Sequence, residues 1–183
     1  LVPALHRMTP AEIALRHGAR AYFESSVIAQ AEEVGRNGDA AKLFDDLRAK
    51  LGNKVRMEDL SALPFITIDP VGAGDLDDAY YVEKNEDGST TWYLATADVG
   101  EYVPPGTPAF RNAARIGNTF YSIDKNGVPE FPMNHPVVSK NAASLLAGKD
   151  SLAMITKMKF SPDGQFLLEE SQVYLGKVRV QGR

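Results

Sequence analysis

The chain contains no cysteine, a single tryptophan, and no apolar run approaching the roughly 18 residues of a membrane-spanning helix. Without cysteine there is no disulfide framework and no thiolate metal site, and the composition fits a reducing compartment. No short apolar stretch has the flanks of a signal peptide. The protein is therefore read as cytoplasmic, with no membrane partner. Excess positive charge is also missing, since the formal net charge is -4. Surfaces that bind phosphate backbones are usually basic. A site that holds a hard divalent cation must concentrate carboxylates, however, and Asp69, Asp75, Asp77 and Asp78 fall within ten residues of one another. Basic groups gather elsewhere, at Lys177, Arg179 and Arg183. Net charge thus excludes neither a nucleic acid nor a metal.

What is present is the balance of an ordinary globular chain, and its 183 residues suit one domain with a small appendage. Residues 1–60 read as helical. Thr9-Pro10-Ala11-Glu12 has the form of a capping box with proline at the first helical position. Ile13, Leu15, Ala21, Val27, Ile28, Ala31 and Val34 supply apolar positions, with Gly18 as an internal break and Gly35–Gly38 as the end. Asp39 is placed to cap a second helix with the stripe Leu43, Phe44, Leu47 and Leu51, closed by Gly52. So few helices bury little surface alone, and they are expected to pack on the C-terminal two thirds of the chain.

From Leu63 the pattern changes to short β-type runs. Phe65–Ile68 delivers Asp69 at its end, and Ala79–Lys84 with Thr91–Val99 flank the turn Asn85-Glu86-Asp87-Gly88 as a hairpin. Thr107-Pro108 opens a helix that stops at Gly117, and Asn118–Ser122 precedes a turn at Asp124–Gly127. Ser139 is read as capping a short helix that ends at Gly148. A second hairpin, Leu152–Phe160 with Gln165–Leu175, crosses Ser161-Pro162-Asp163-Gly164. The expected class is α+β: a small helical region over 1–60, then a mixed, largely antiparallel core over 61–183.

Chemistry concentrates in Thr67–Ala79, where four aspartates converge at the end of a strand, a glycine-containing loop and the start of the next strand. Carboxylates this close repel one another, which costs stability or raises one of their pKa values. Mg²⁺ takes oxygen ligands and keeps waters, so a few carboxylates plus a substrate phosphate suit it. Two such ions about 3.5–4 Å apart can serve a phosphodiester displacement. Composition alone also admits a plain acidic surface loop. A calcium EF-hand does not fit, because Ala79 and Tyr80 fall where an oxygen ligand and the obligatory glycine belong. Gly72-Ala73-Gly74 resembles the opening of a dinucleotide fingerprint, but its third glycine position is Asp77. The Ser161–Gly164 turn occurs once, so it marks no propeller repeat.

The spacing Asp69, Asp75, Asp77, Asp78 within T-I-D-P-x-x-x-x-D-L-D-D-A resembles the signature of the ribonuclease II (RNB) exoribonucleases. The resemblance runs on collinearly through Ala97–Val103, Gly106-Thr107, Ala113–Tyr121, Phe131-Pro132-Met133, Ala143-Ser144-Leu145 and Leu152-Ala153. It covers about residues 60–183, the opening part of that catalytic domain. It implies a metal-dependent, hydrolytic 3′→5′ exoribonuclease acting on single-stranded RNA and releasing nucleoside 5′-monophosphates. It further implies Mg²⁺ (or Mn²⁺) at the four acids. Asp69 and Asp78 would ligate directly and Asp75 directly or through water, and turnover would depend most on Asp77. Tyr121 would stack on a base or ribose near the 3′ end, worth about 1–3 kcal/mol per base.

The chain departs from that pattern in places. Val137 stands where the family has a glutamate, Ala143 replaces a cysteine, and Gly74 stands where a charged residue commonly precedes the second aspartate. The family's later arginine and glutamate would lie beyond Arg183. The remaining C-terminal part of the RNB domain is therefore an expected partner, and residues 1–183 alone are expected to be inactive. The alternative from another class is an inert RNB-fold RNA-binding module. It is disfavoured because a pure binder gains nothing from four carboxylates that repel phosphate. Loss of the later half is also expected to expose the apolar faces of strands 65–68, 91–99 and 152–160.

Overall fold

The computed structural model describes residues 8, 12, 15, 16, 22–120 and 131–182. Thr9, Pro10, Ala11, Ile13, Gly18, Ala21, Tyr121, the Asp124–Gly127 turn and Arg183 lie outside the described residues. Residues 22–56 contain two α-helices. The first, α1 (Ser25–Asn37), ends on Gly38, whose N–H donates to the Val34 carbonyl at 2.7 Å. The second, α2 (Ala40–Leu51), is capped by the Asp39 side chain, which accepts from the Lys42 N–H at 2.8 Å, and closes on Gly52 at φ 54°. Among the described residues no helix is long and apolar enough to cross a membrane.

Six strands complete the sheet: β1 (Met57–Asp59), β2 (Phe65–Ile66), β3 (Asp78–Lys84), β4 (Thr90–Ala97), β5 (Asp150–Phe160) and β6 (Gln172–Gly182). β3, β4, β5 and β6 pair antiparallel in that order, while β1 and β2 both run parallel to β6. β2 also pairs antiparallel with β3 through Ile66 and Tyr80, so the sheet closes on itself as a five-strand barrel. β1 lies along Leu175–Lys177 of β6 and β2 along Val180–Gly182, so two short strands share one edge of a long one. Closure removes the open edges that would otherwise template further pairing.

Alternation along the strands sends one face inward. Ala79, Ala95, Ile155 and Tyr174 are register partners across four successive strands, and all are buried. Phe65, Leu76, Leu145, Val178 and Val180 complete the same core. Small residues let the walls approach: a Cβ on Gly176 would sit 2.5 Å from the Ile155 side chain. The expected exposure of apolar faces on strands 65–68, 91–99 and 152–160 holds for Ile66, Ile68, Trp92 and Met154 but not for the inward side. Phe65, Ala95, Ala153 and Ile155 are covered inside the chain's own barrel, and Leu152 is covered by α2.

α2 packs on the barrel, whereas α1 packs on the segment over residues 102–142, including the helix that starts at Pro108. Phe44 of α2 is buried against Met57 and Leu152. Val27 and Ala31 of α1 meet Tyr102, Val103, Ala109 and Val138. A third helix, α3 (Pro108–Ile116), begins with the Thr107 hydroxyl accepting from the Phe110 N–H and ends on Gly117 in the left-handed region at φ 75°.

β1, which ends just before residue 60, pairs with β6 as a sixth strand beside the barrel. Two further expectations change. The helix expected from Ser139 to Gly148 is instead a π-helical turn, Val138–Ala142, and Ser139 lies inside it rather than capping it. The chain leaves that turn early because the Leu145 N–H is drawn to the Leu76 carbonyl at 2.9 Å and the Gly148 N–H to the Val180 carbonyl at 2.8 Å. The second hairpin keeps its Ser161–Gly164 turn, but β6 begins only at Gln172 and runs to Gly182, after a 3-10 turn over Leu168–Glu170.

Candidate metal site

The acidic loop is strung between two barrel strands. After β2, Thr67 is buried and its N–H donates to the Gly182 carbonyl at 3.2 Å. Asp69 comes next but one, half-buried, and its Oδ2 is enclosed with no hydrogen-bond partner. The chain then turns through Pro70–Ala73, where Gly72 takes φ 95°, a conformation side-chain-bearing residues rarely adopt. Leu76 plugs into the barrel core, so its neighbours Asp75 and Asp77 are carried to the opposite side. Asp78 opens β3 opposite Thr96.

One buried serine holds the middle of this loop. The Ser144 hydroxyl accepts from the Leu76 N–H at 3.0 Å and donates to the Gly74 carbonyl at 3.2 Å. The Leu145 N–H bonds the Leu76 carbonyl, and the Ala97 N–H donates to the Asp77 carbonyl at 2.8 Å. The backbone around Asp75–Asp77 is thus fixed from both sides. Ser144→Ala leaves a buried N–H and a half-buried carbonyl without that partner. It should cost about 2 kcal/mol in denaturant unfolding, and turnover should fall about tenfold, as when an outer-shell support is lost. Unchanged stability would show that the loop is held by its other bonds.

Asp75 and Asp77 line one cavity of 270 Å³ with Thr96, Thr119, Asn134 and Ser139 among its walls. The Asn134 Oδ1 is buried and unpartnered. The Met133 N–H donates to the Thr119 hydroxyl at 3.1 Å, and Phe120 and Phe131 form an antiparallel bridge beside it. Burial pushes the Asp77 carboxyl above its usual range although the side chain reaches solvent, and the charges of Asp75, Asp78 and Asp69 push it further. The four acids therefore share one electrostatic neighbourhood. Asp69 and Asp78 do not line the cavity, and among the described residues no three acidic or histidine side chains are drawn into a finished ligand set. Tyr121 lies outside the described residues.

The donor chemistry still suits a hard cation. An enclosed carboxylate oxygen without a partner and a carboxyl raised by its acidic neighbours are both relieved by a divalent ion. A larger cavity, 650 Å³, lies between α1 and residues 101–108, but its walls are mainly apolar and it lies apart from the aspartates. The sequence singles out Ser139 only as a helix cap and Ser144 only within a matched run, and it gives Asn134 no role. A buried serine two residues from a buried alanine carries no chemical signal until its partner across the fold is known.

Residues 57–183 match the RNB domain family. The chain belongs to that family. Ribonuclease R of Vibrio parahaemolyticus is 38% identical over 112 residues, covering 61% of this chain and 13% of that protein. Exoribonuclease 2 of Proteus mirabilis is 34% identical over 117 residues, covering 64% of this chain and 17% of that protein. The RNB chain thus spans less than a fifth of these relatives. Its fold matches Mycoplasma genitalium RNase R, solved with double-stranded RNA, with a TM-score of 0.73 over 95% of this chain and 28% of that one, at 22% identity.

Proposed function

We propose that the protein carrying this RNB segment is a metal-dependent hydrolytic 3′→5′ exoribonuclease of single-stranded RNA that releases nucleoside 5′-monophosphates. The observation that carries this reading is the Asp77 carboxyl raised beside Asp75, Asp78 and Asp69 in an RNB-family loop. Asp69, Asp75, Asp77 and Asp78 would hold Mg²⁺ or Mn²⁺ once their side chains are drawn together. The bound ion supplies Lewis acidity at the phosphate and a more acidic attacking water. Ser144 keeps Asp75 and Asp77 on the cavity side of the loop. Thr119, Asn134 and Ser139 offer neutral hydrogen-bonding groups beside the acids, chemistry suited to a ribose hydroxyl.

The activity belongs to the whole protein. Among the described residues no arginine or lysine lines the cavity, so the groups that meet transition-state charge are not supplied by its walls. Residues 1–183 alone should be inactive. The test uses the intact protein, Mg²⁺, and 5′-labelled single-stranded RNA and DNA of one sequence. RNA should shorten progressively from its 3′ end, at least about a hundredfold faster than DNA, since a site that bonds a hydroxyl discriminates strongly against its absence. Equal rates on the two would indicate a generic nuclease. Binding without shortening would indicate an inert RNA-binding module.

A further inference from the structure

Many cations of the described chain are already engaged. Lys177 pairs with Asp59 at 2.9 Å, Arg179 with Asp150 at 2.7 Å, Lys159 with Glu170 at 2.6 Å, and Arg56 with Glu58. Lys149 donates to Asn141, and Lys157 sits over the Tyr93 ring. Lys140 differs. It is half-buried in the middle of the π-helical turn Val138–Ala142, and among the described residues no ion pair involves it.

Its stem lies across the aspartate loop. The Cδ, Cγ and Cε of Lys140 are 3.3, 3.7 and 3.8 Å from where a Cβ on Gly74 would sit. Gly74 immediately precedes Asp75, and Ser144 grips its carbonyl. Gly74 does not have the left-handed backbone that would demand glycine, so what its missing side chain provides is room for Lys140. A four-carbon stem packed on the protein with a compact ammonium at its tip is a common way to present a point charge. Here that charge is brought to a loop whose own side chains, from Asp69 to Asp78, are all anionic or apolar.

We propose that Lys140 is the cation that holds the substrate phosphate nearest the aspartate loop, with Gly74 serving as its seat. This rests on the RNA-degrading function proposed above. An ammonium at this position offsets the repulsion between the RNA backbone and the four aspartates as the strand enters. It acts by binding and positioning the phosphate rather than in the bond-breaking step.

The experiment compares Lys140→Met, which keeps the stem and removes the charge, with Gly74→Lys/Lys140→Ala, which moves the charge to the other side of the same contact. The intact protein is assayed with Mg²⁺ for kcat and KM on single-stranded RNA. RNA affinity is measured in chelator over a salt series, and Tm is recorded for each variant. Lys140→Met should raise KM and Kd about tenfold, the low end for a hydrogen bond to a charged group, with little change in kcat or Tm. It should lower the log Kd–log salt slope by about 0.7, one single-strand phosphate contact. The relocated lysine should recover most of that loss. Lys140→Met behaving like wild type, a loss confined to kcat, or a double variant that folds but recovers nothing would each overturn the proposal. A wild-type protein that neither binds nor shortens RNA overturns the functional reading itself, before any Lys140 variant is compared.

Discussion

Asp77→Asn should lower turnover by about three orders of magnitude, the scale expected when several kcal/mol of metal-borne stabilisation is lost, while RNA binding stays equal or tightens. The asymmetry comes from where Asp77 sits. Its backbone is fixed by the Ala97 N–H and by the Ser144 clamp on either side of Leu76, so an isosteric amide should leave the loop in place. What changes is charge. The carboxyl is already raised by burial and by Asp75, Asp78 and Asp69, so removing it relieves repulsion within the protein and against an incoming phosphate. The same replacement weakens the grip on a divalent ion at the point where the four acidic fields overlap. Cleavage and binding are measured on one labelled oligonucleotide. Residual cleavage within about tenfold of wild type would reassign Asp77 to a solvated surface role.

Much of the local structure was legible because its determinants are close in sequence. Asp39 accepting from Lys42, Thr107 accepting from Phe110, and the terminators Gly38, Gly52 and Gly117 act within a turn of the residues they cap. The Asn85–Gly88 hairpin is similarly local, with the Gly88 N–H donating to the Asn85 carbonyl at 3.0 Å. What could not be read depends on distant partners. Met57–Asp59 is a strand only because Leu175–Lys177 pairs with it, and Gly176 is small because Ile155 lies against it. Ser139 as a cap and Gly148 as a terminator suggested an ordinary helix. The loop at Leu76 claims Leu145, and the turn ends as a π-helical one instead.

The site divides in the same way. The four aspartates stand out because acids at that density require an explanation wherever the chain folds. Ser144, Asn134 and Lys140 reach them from a separate stretch of sequence, and each is an ordinary residue until the barrel brings residues 134–144 against residues 74–77.

Withdrawing divalent cations from the intact protein should stop RNA degradation altogether and also lower its thermal stability, with Mg²⁺ or Mn²⁺ restoring both. The stability effect is set by the sign of the Asp77 shift. Its carboxyl is raised above its ordinary value of 3.8 in the folded chain. Between those two values the native state holds a proton that the unfolded state has released, so stability falls as pH rises through the folded pKa. The penalty grows as pH rises through the folded pKa, and a bound cation removes it by pairing with the ionised acids. Asp98 and Glu101 are also raised by burial and act with the same sign, so the informative quantity is the difference between wild type and Asp77→Asn. In chelator, acidification should narrow the gap by which Asp77→Asn exceeds wild type in Tm. At neutral pH, Mn²⁺ should raise the wild-type Tm more than that of Asp77→Asn. Degradation undiminished in excess chelator, or a Tm indifferent to Mn²⁺ in both proteins, would falsify the assignment of the four aspartates to a metal. The loop would then be an acidic surface that carries its repulsion unrelieved.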